Sequence, residues 1–429
     1  MIRCLLHTAY YHLWENERSR APTPGHMELD PAQFAAEEPA PAEPARERLV
    51  LGVPKTVLVM SATHGVNDIF TNIYAPLLPL FIPLLHLSLT AAGTIAAAIQ
   101  IAGSIAQLVF GPLADRWRPK VLAVAGPLLA VSAMSLAGLA TSPLMLGAIL
   151  VVGSLGSAAF HPTAAAIVNR VGGARRGTAM SVHVTGGAMG NAIAPMLFAP
   201  YAQYVGIRWT PLLAVPALVL LVSILRRIPD VRLSHGHGPS GFAALRPYAG
   251  PLALLWAAVV IRTIVAIGYS TFLPVLLTRR GMSVAEAGLA AGAYLVAGSI
   301  GGLAGGPFAD RFGPRRVMAA SLAASVPLLA AALLVPGPAS LLLLVAGGFF
   351  LGSTLPVNIT YAHAIAPVAT GTVSSLFLGV AWGLGSLAVP LVGMAGDTVG
   401  LQPALLTLAC LPALAAILTM RLPERASHV

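Results

Sequence analysis

From residue 55 onward the chain is a series of long apolar runs, broken by short stretches rich in Pro, Gly, Ser and Arg. A helix of about 20 apolar residues crosses the hydrocarbon core of a bilayer. Counting such runs predicts twelve crossings: 55–84, 89–113, 120–140, 144–168, 176–203, 207–227, 251–277, 284–308, 316–335, 339–364, 371–395 and 401–420. A more polar stretch, 228–250, separates the first six from the second six. The expected architecture is an all-α membrane protein with two six-helix bundles, 51–227 and 251–421. Residues 1–50 break the pattern, with 8 of the 15 acidic residues and a Pro/Ala/Glu tract from Ala21 to Pro44. Such a segment buries too little apolar surface to fold, so a disordered tail is expected there, with a linker at 228–250 and a short tail at 422–429.

The second half repeats the first. Gly111-Pro112-Leu113-Ala114-Asp115-Arg116 returns as Gly306-Pro307-Phe308-Ala309-Asp310-Arg311, 195 positions later. The same displacement carries Tyr74 onto Tyr269, Ser88 onto Ser283, Gly93 onto Gly288, Gly190 onto Gly385 and Pro195 onto Pro390, with no gap. Two similar membrane halves are the build of a secondary transporter, whose substrate path lies between the repeats.

Composition removes other classes. The chain is 57% hydrophobic and 9% charged, with a mean hydropathy of +0.81, against about 25% charged residues in soluble domains. The net charge of +10 comes in no basic block, so nucleic acid is not an expected partner; the basic residues lie between apolar runs and set orientation. Eighteen Lys and Arg fall on segments sharing the side of the termini and three (Arg208, Arg279, Arg280) on the other, which places both termini in the cytoplasm. The two cysteines, Cys4 and Cys410, imply neither a disulfide framework nor a zinc site. No cofactor and no metal are expected, and no nucleophile with a partnered base points to an enzyme.

The pattern Gly-x-x-x-Asp-Arg-x-x-x-basic, present between spans 2 and 3 and again between 8 and 9, resembles the signature loop of the major facilitator superfamily. The resemblance covers about residues 55–420. It implies that Gly111, Asp115, Arg116, Gly306, Asp310 and Arg311 form a latch on the cytoplasmic side: the glycines allow close helix approach, and the aspartates accept hydrogen bonds at a neighbouring helix N-terminus. Span 5 carries Gly186, Gly190 and Pro195 in a Gly-rich stretch similar to a motif of the superfamily's exporters.

Polar side chains inside the spans narrow the chemistry, because a charge at the bilayer centre costs at least about 2.5–3.5 kcal/mol. Asp68 is the one acidic residue expected near mid-membrane. His64 lies four residues earlier on the same helix face. His161 in span 4 and His183 in span 5 are expected at similar depth. A protonatable carboxylate with imidazoles beside it is what proton coupling needs, so Asp68, His64 and His161 are candidate coupling residues. Arg262 in span 7 falls on Asn67 by the 195 displacement, so it is expected near the Asp68 level, as a counter-ion or as a contact for an anionic substrate. Asn67, His183, Asn191 and Asn358 complete the candidate substrate lining.

His64-x-x-Asn67-Asp68, Phe160-His161-Pro162 and Gly172-Gly173-Ala174-Arg175-Arg176-Gly177 are similar to the fosmidomycin-resistance branch of the superfamily. This implies a proton-driven antiporter of the bacterial inner membrane, exporting a small anionic drug or related metabolite, with protons, the substrate and the lipid bilayer as its partners and a monomeric state. The competing expectations are a proton-coupled nutrient importer on the same Asp68 and, further off, a membrane sensor that transports nothing.

Overall fold

The computed structural model describes residues 49–50, 53–116, 119–226, 228, 242–367 and 370–424. Most of the expected N-terminal tail, and the His235 and His237 of the linker, lie outside the described residues. Leu49–Val50 and Val53–Pro54 pair as a minimal antiparallel ladder that leads into span 1. Phe242–Tyr248, expected as linker, winds into span 7 as a 3-10 helix.

Ten segments are long and apolar enough to cross a membrane. The difference from twelve has two local causes. Arg176–Ile224 counts as one segment of 49 residues, yet it contains two helices, Arg176–Tyr201 and Thr210–Leu225, parted by π and 3-10 turns at 202–209. Span 1 is broken at Asn72 into Lys55–Thr71 and Tyr74–Leu84, each too short to be counted. The other crossings are Leu89–Arg116, Pro119–Ser135, Pro143–Gly172, Ala249–Arg279, Val284–Phe312, Pro314–Leu334, Pro338–Ile365 and Leu401–Met420. Span 11, expected as one helix, is built from Thr370–Ser374, a π segment Ser375–Val380, Ala381–Ser386 and Val389–Thr398. Short π insertions and a turn at 387–388 break its hydrogen-bond ladder, which a run of apolar residues does not reveal.

We call the side where span 1 begins the tail face and the opposite side the far face. The two sixes touch mostly toward the far face. Lys55–Thr71 packs on spans 3 to 6 of its own half, whereas Tyr74–Leu84 packs against spans 7 and 8. Span 5 lies along span 8, and span 2 along the later pieces of span 11. Spans 4 and 10 make no comparable contact with the opposite half. Backbone contacts within each half rely on missing side chains: a Cβ on Gly301 would lie 2.0 Å from the Phe349 carbonyl oxygen, and one on Gly352 would lie 2.2 Å from that of Gly298. The span 8 glycines therefore pack against span 10 of the same chain, as small residues in membrane helices do.

At the tail-face ends of spans 2 and 8, the described residues show no latch contact. A Cβ on Gly111 or on Gly306 would meet nothing within 4 Å, so neither glycine serves a close approach in this conformation. Asp310 is exposed, with no ion pair among the described residues, and Arg311 lies over the Phe312 ring at 5.2 Å. The side chains of Asp115 and Arg116 lie outside the described residues. Residues 422–424, expected as free tail, are held instead: Arg315 donates to the Leu422 carbonyl (2.9 Å), the Tyr361 hydroxyl to that of Pro423, and Arg316 pairs with Glu424 (3.5 Å).

Candidate functional site

Asp68 sits in the last turn of Lys55–Thr71, just before the break at Asn72, and is 6% exposed. Four groups converge on its carboxylate. His64 Nε2 lies 3.4 Å from Oδ2 and His161 Nε2 3.6 Å from Oδ1. Asn67 Nδ2 donates to Oδ1 (3.0 Å) and Asn191 Nδ2 to Oδ2 (3.1 Å). The i, i+4 spacing puts His64 and Asp68 on one helical face, and span 5 supplies Asn191 because it packs tightly on span 1.

That packing explains the Gly-rich stretch. A Cβ on Gly186 would stand 2.4 Å from the Ser61 carbonyl oxygen, and one on Gly190 would stand 2.2 Å from that of Gly65. Gly187 leaves room for an imidazole: its Cβ would fall 2.3 Å from His64 Nε2. The break in span 1 is tied to the same helix, with Asn72 Nδ2 donating to the Asn191 carbonyl (3.2 Å). Overpacking by even a methyl group costs about 1–3 kcal/mol. Gly190→Val is accordingly expected to lower the thermal midpoint of the purified protein by several degrees, while Gly111→Ala leaves it unchanged. Fluorescence-detected thermal unfolding in detergent, run on both variants, checks the contrast.

The histidine rings form one group in contact, edge-on between His64 and His161 and tilted between His64 and His183. His64 is 4.4 Å from His183 and 5.0 Å from His161, ring centre to ring centre. His64 Nδ1 lies 2.9 Å from the His183 carbonyl oxygen. A carbonyl only accepts, so Nδ1 carries a hydrogen, and any change of protonation of His64 takes place at Nε2, facing Asp68. His161 Nε2 also meets the Ser157 hydroxyl (3.0 Å), and Asn67 Nδ2 donates to that hydroxyl (2.9 Å). The Asp68 and His64 side chains are only 9% and 12% exposed, but that of His161 is 31% exposed. His161 is thus the member of the group open to a bound molecule or water.

The structure sorts the sequence candidates. Asp68, His64, His161, Asn67 and Asn191 form one hydrogen-bonded cluster, with His183 stacked behind it. Asn67 and Asn191, read as substrate lining, hold the carboxylate instead. Ser157 was missed, although it lies four residues before His161 on the same face. Asn358 is buried in span 10. Arg262 makes no ion pair with Asp68. Its Nε donates to the Leu351 carbonyl (3.3 Å), Tyr294 is its electrostatic neighbour, and its Nη1 is buried without a partner. The repeat places Arg262 at the counterpart of Asn67, and its guanidinium is engaged within its own half, on span 10.

The sequence profile of the Major Facilitator Superfamily matches residues 60–285 and 255–429. The chain belongs to this superfamily. It is a multi-pass membrane transporter and not an enzyme. Among relatives of this major facilitator, an uncharacterized MFS-type transporter, YfnC of Bacillus subtilis (strain 168), is 31% identical over 412 residues, covering 89% of this chain and 97% of the relative. The fosmidomycin resistance protein of Escherichia coli (strain K12) is 29% identical over 384 residues, covering 85% and 92%. Among solved structures, a bacterial homolog of the lysosomal transporter Spinster, inward-facing and unoccupied, superposes with a TM-score of 0.70 at 17% identity, covering 85% of this chain and 95% of that one. A D-xylose–proton symporter gives 0.71 at 16% identity, covering 86% and 97%. At such identities these structures share the fold.

Proposed function

We propose that this major facilitator is a proton-coupled antiporter that exports a small anionic compound across the bacterial inner membrane, as a monomer with both termini in the cytoplasm. The observation carrying the reading is the buried carboxylate of Asp68 between two imidazoles, one of them partly open. A charge at this depth is costly and, in membrane transporters, marks an ion pathway. A proton entering past His161 reaches Asp68 Oδ1 within one contact, and His64 Nε2 shares the opposite oxygen. Neutralising the carboxylate removes the charge that the two imidazoles face, and this changes the relative stability of the two access states. Rocking of 51–227 against 251–421 then exposes the cluster to each side in turn. Arg262, a buried cation with a spare donor, supplies the positive charge for the anion. The likeness to the fosmidomycin resistance protein supports export and a phosphonate-type substrate.

The test is a growth-inhibition panel, including fosmidomycin, in an efflux-deficient bacterium that expresses the chain. Resistance raised several-fold for an anionic compound is the expected outcome. Heightened sensitivity instead would mean uptake, and would favour the importer reading that the fold shared with the D-xylose–proton symporter keeps open. Unchanged sensitivity to every compound would remove drug export.

A further inference from the structure

On the far face, two contacts between the halves repeat the 195 displacement. Spans 2 and 8 each begin with a serine cap of their own: the Ser88 hydroxyl accepts from Ala91 N (3.0 Å) and the Ser283 hydroxyl from Glu286 N (3.2 Å). A serine cap satisfies one first-turn N–H and leaves others free. In both helices the other half of the molecule takes the next one. The Asp397 carboxylate, at the end of span 11, accepts from Leu89 N (2.9 Å), Thr90 N (2.9 Å) and the Thr90 hydroxyl (2.7 Å). Gln203 Oε1, just past span 5, accepts from Ala285 N (2.8 Å). Thr90 and Ala285 are equivalent positions of the repeat.

Beside each contact the backbones close on a glycine. A Cβ on Gly93 would lie 2.6 Å from the Val389 carbonyl oxygen, and one on Gly288 would lie 2.6 Å from that of Pro195. Gly393 approaches Leu89 in the same way, at 2.2 Å. The two seams share a geometry and differ in charge. Asp397 places a full negative charge, with three accepted hydrogen bonds, at the positive end of a 28-residue helix. Gln203 places one neutral acceptor.

We propose that Asp397 is a latch acting between the halves: it holds the far face shut by capping span 2 from span 11, with Gln203 as its weaker, neutral counterpart on span 8. The latch works because both ends have an alternative. When the far face opens, water takes over the carboxylate and the Leu89 and Thr90 amides, so the closed state is favoured by a modest margin and can still be left. The signature loops lie at the other face, so far-face closure falls to contacts that the signature does not contain. The proposal concerns the conformational equilibrium alone and does not depend on the direction or chemistry of transport.

The experiment is distance measurement between spin labels in nanodiscs, using the full chain with Cys4→Ser and Cys410→Ser. Labels at Thr141→Cys and Ala339→Cys report the far face; labels at Thr178→Cys and Pro367→Cys report the tail face. Asp397→Ala is expected to raise the ratio of far-face-open to far-face-closed molecules by about tenfold, the size of a lost charge-assisted hydrogen bond, with a matching shift to shorter distances at the tail face. Asp397→Asn, which keeps the shape and one acceptor, should fall between, and Gln203→Ala should shift the ratio by about threefold or less. Unchanged distributions in Asp397→Ala would overturn the proposal. So would far-face widening without tail-face narrowing, which is local fraying, or an effect of Gln203→Ala as large as that of Asp397→Ala.

Discussion

Replacing Asp68 by Asn is expected to abolish gradient-driven transport while leaving substrate exchange across the membrane intact. The amide is nearly the same size, keeps one acceptor for Asn67 or Asn191 and can donate to the other once that side-chain amide turns over, so the close packing of spans 1 and 5 survives. What disappears is the carboxylate proposed to exchange a proton with His64 and His161. In proteoliposomes with an imposed pH gradient, accumulation should fall to the level of protein-free vesicles. Counterflow between equal concentrations of labelled and unlabelled substrate, which needs no net proton movement, should persist. Loss of both activities with normal folding would place Asp68 in the substrate site and not in coupling. Retention of both would remove it from the mechanism. His161→Ala distinguishes the two imidazoles: it removes the one that faces Asp68 Oδ1 but leaves the His64 pair at 3.4 Å, so it should slow the driven flux without abolishing it.

Some of this site was legible before any coordinates. The i, i+4 pair of His64 and Asp68 needs only helical periodicity, and the charge-poor spans made Asp68 conspicuous. The 195-residue repeat paired spans of the two halves, and His161 and His183 were expected at a shared depth. Contacts across the bundle were not legible. Nothing in the sequence of span 5 says that Gly187 faces an imidazole, or that Asn191 turns toward the carboxylate, because helix rotation is set by packing and not by composition. The break at Asn72 and the π segment of span 11 are hidden for a similar reason, since an apolar run reads the same whether its hydrogen-bond ladder is regular or not. Asp397 lies at the end of Val389–Thr398, with no local sequence signal of a partner. Its partners, Leu89 and Thr90, lie more than 300 positions away in the sequence.

Arg262 carries a prediction in which affinity and stability move in opposite directions. The guanidinium is 6% exposed, pairs with no carboxylate among the described residues, and keeps Nη1 unpartnered while the Leu351 carbonyl takes its Nε. A buried charge without a counter-ion destabilises its protein, and replacing it by an apolar group of similar length removes that desolvation cost. A residue kept at this cost is expected to obtain its counter-charge from the transported molecule. Arg262→Met should therefore raise the thermal midpoint of the substrate-free protein and weaken binding of an anionic substrate by about ten- to a hundredfold, the range for a lost hydrogen bond to a charged group. Arg262→Lys keeps the charge but not the planar fork, so it should recover part of the affinity. Thermal-shift titration with fosmidomycin reads both quantities in one experiment. Substrate should stabilise the native chain strongly and the methionine variant weakly, from a higher starting point. A methionine variant that is less stable than the native chain, with an unchanged ligand response, would make Arg262 a structural strut between spans 7 and 10 and leave the anion to be held elsewhere.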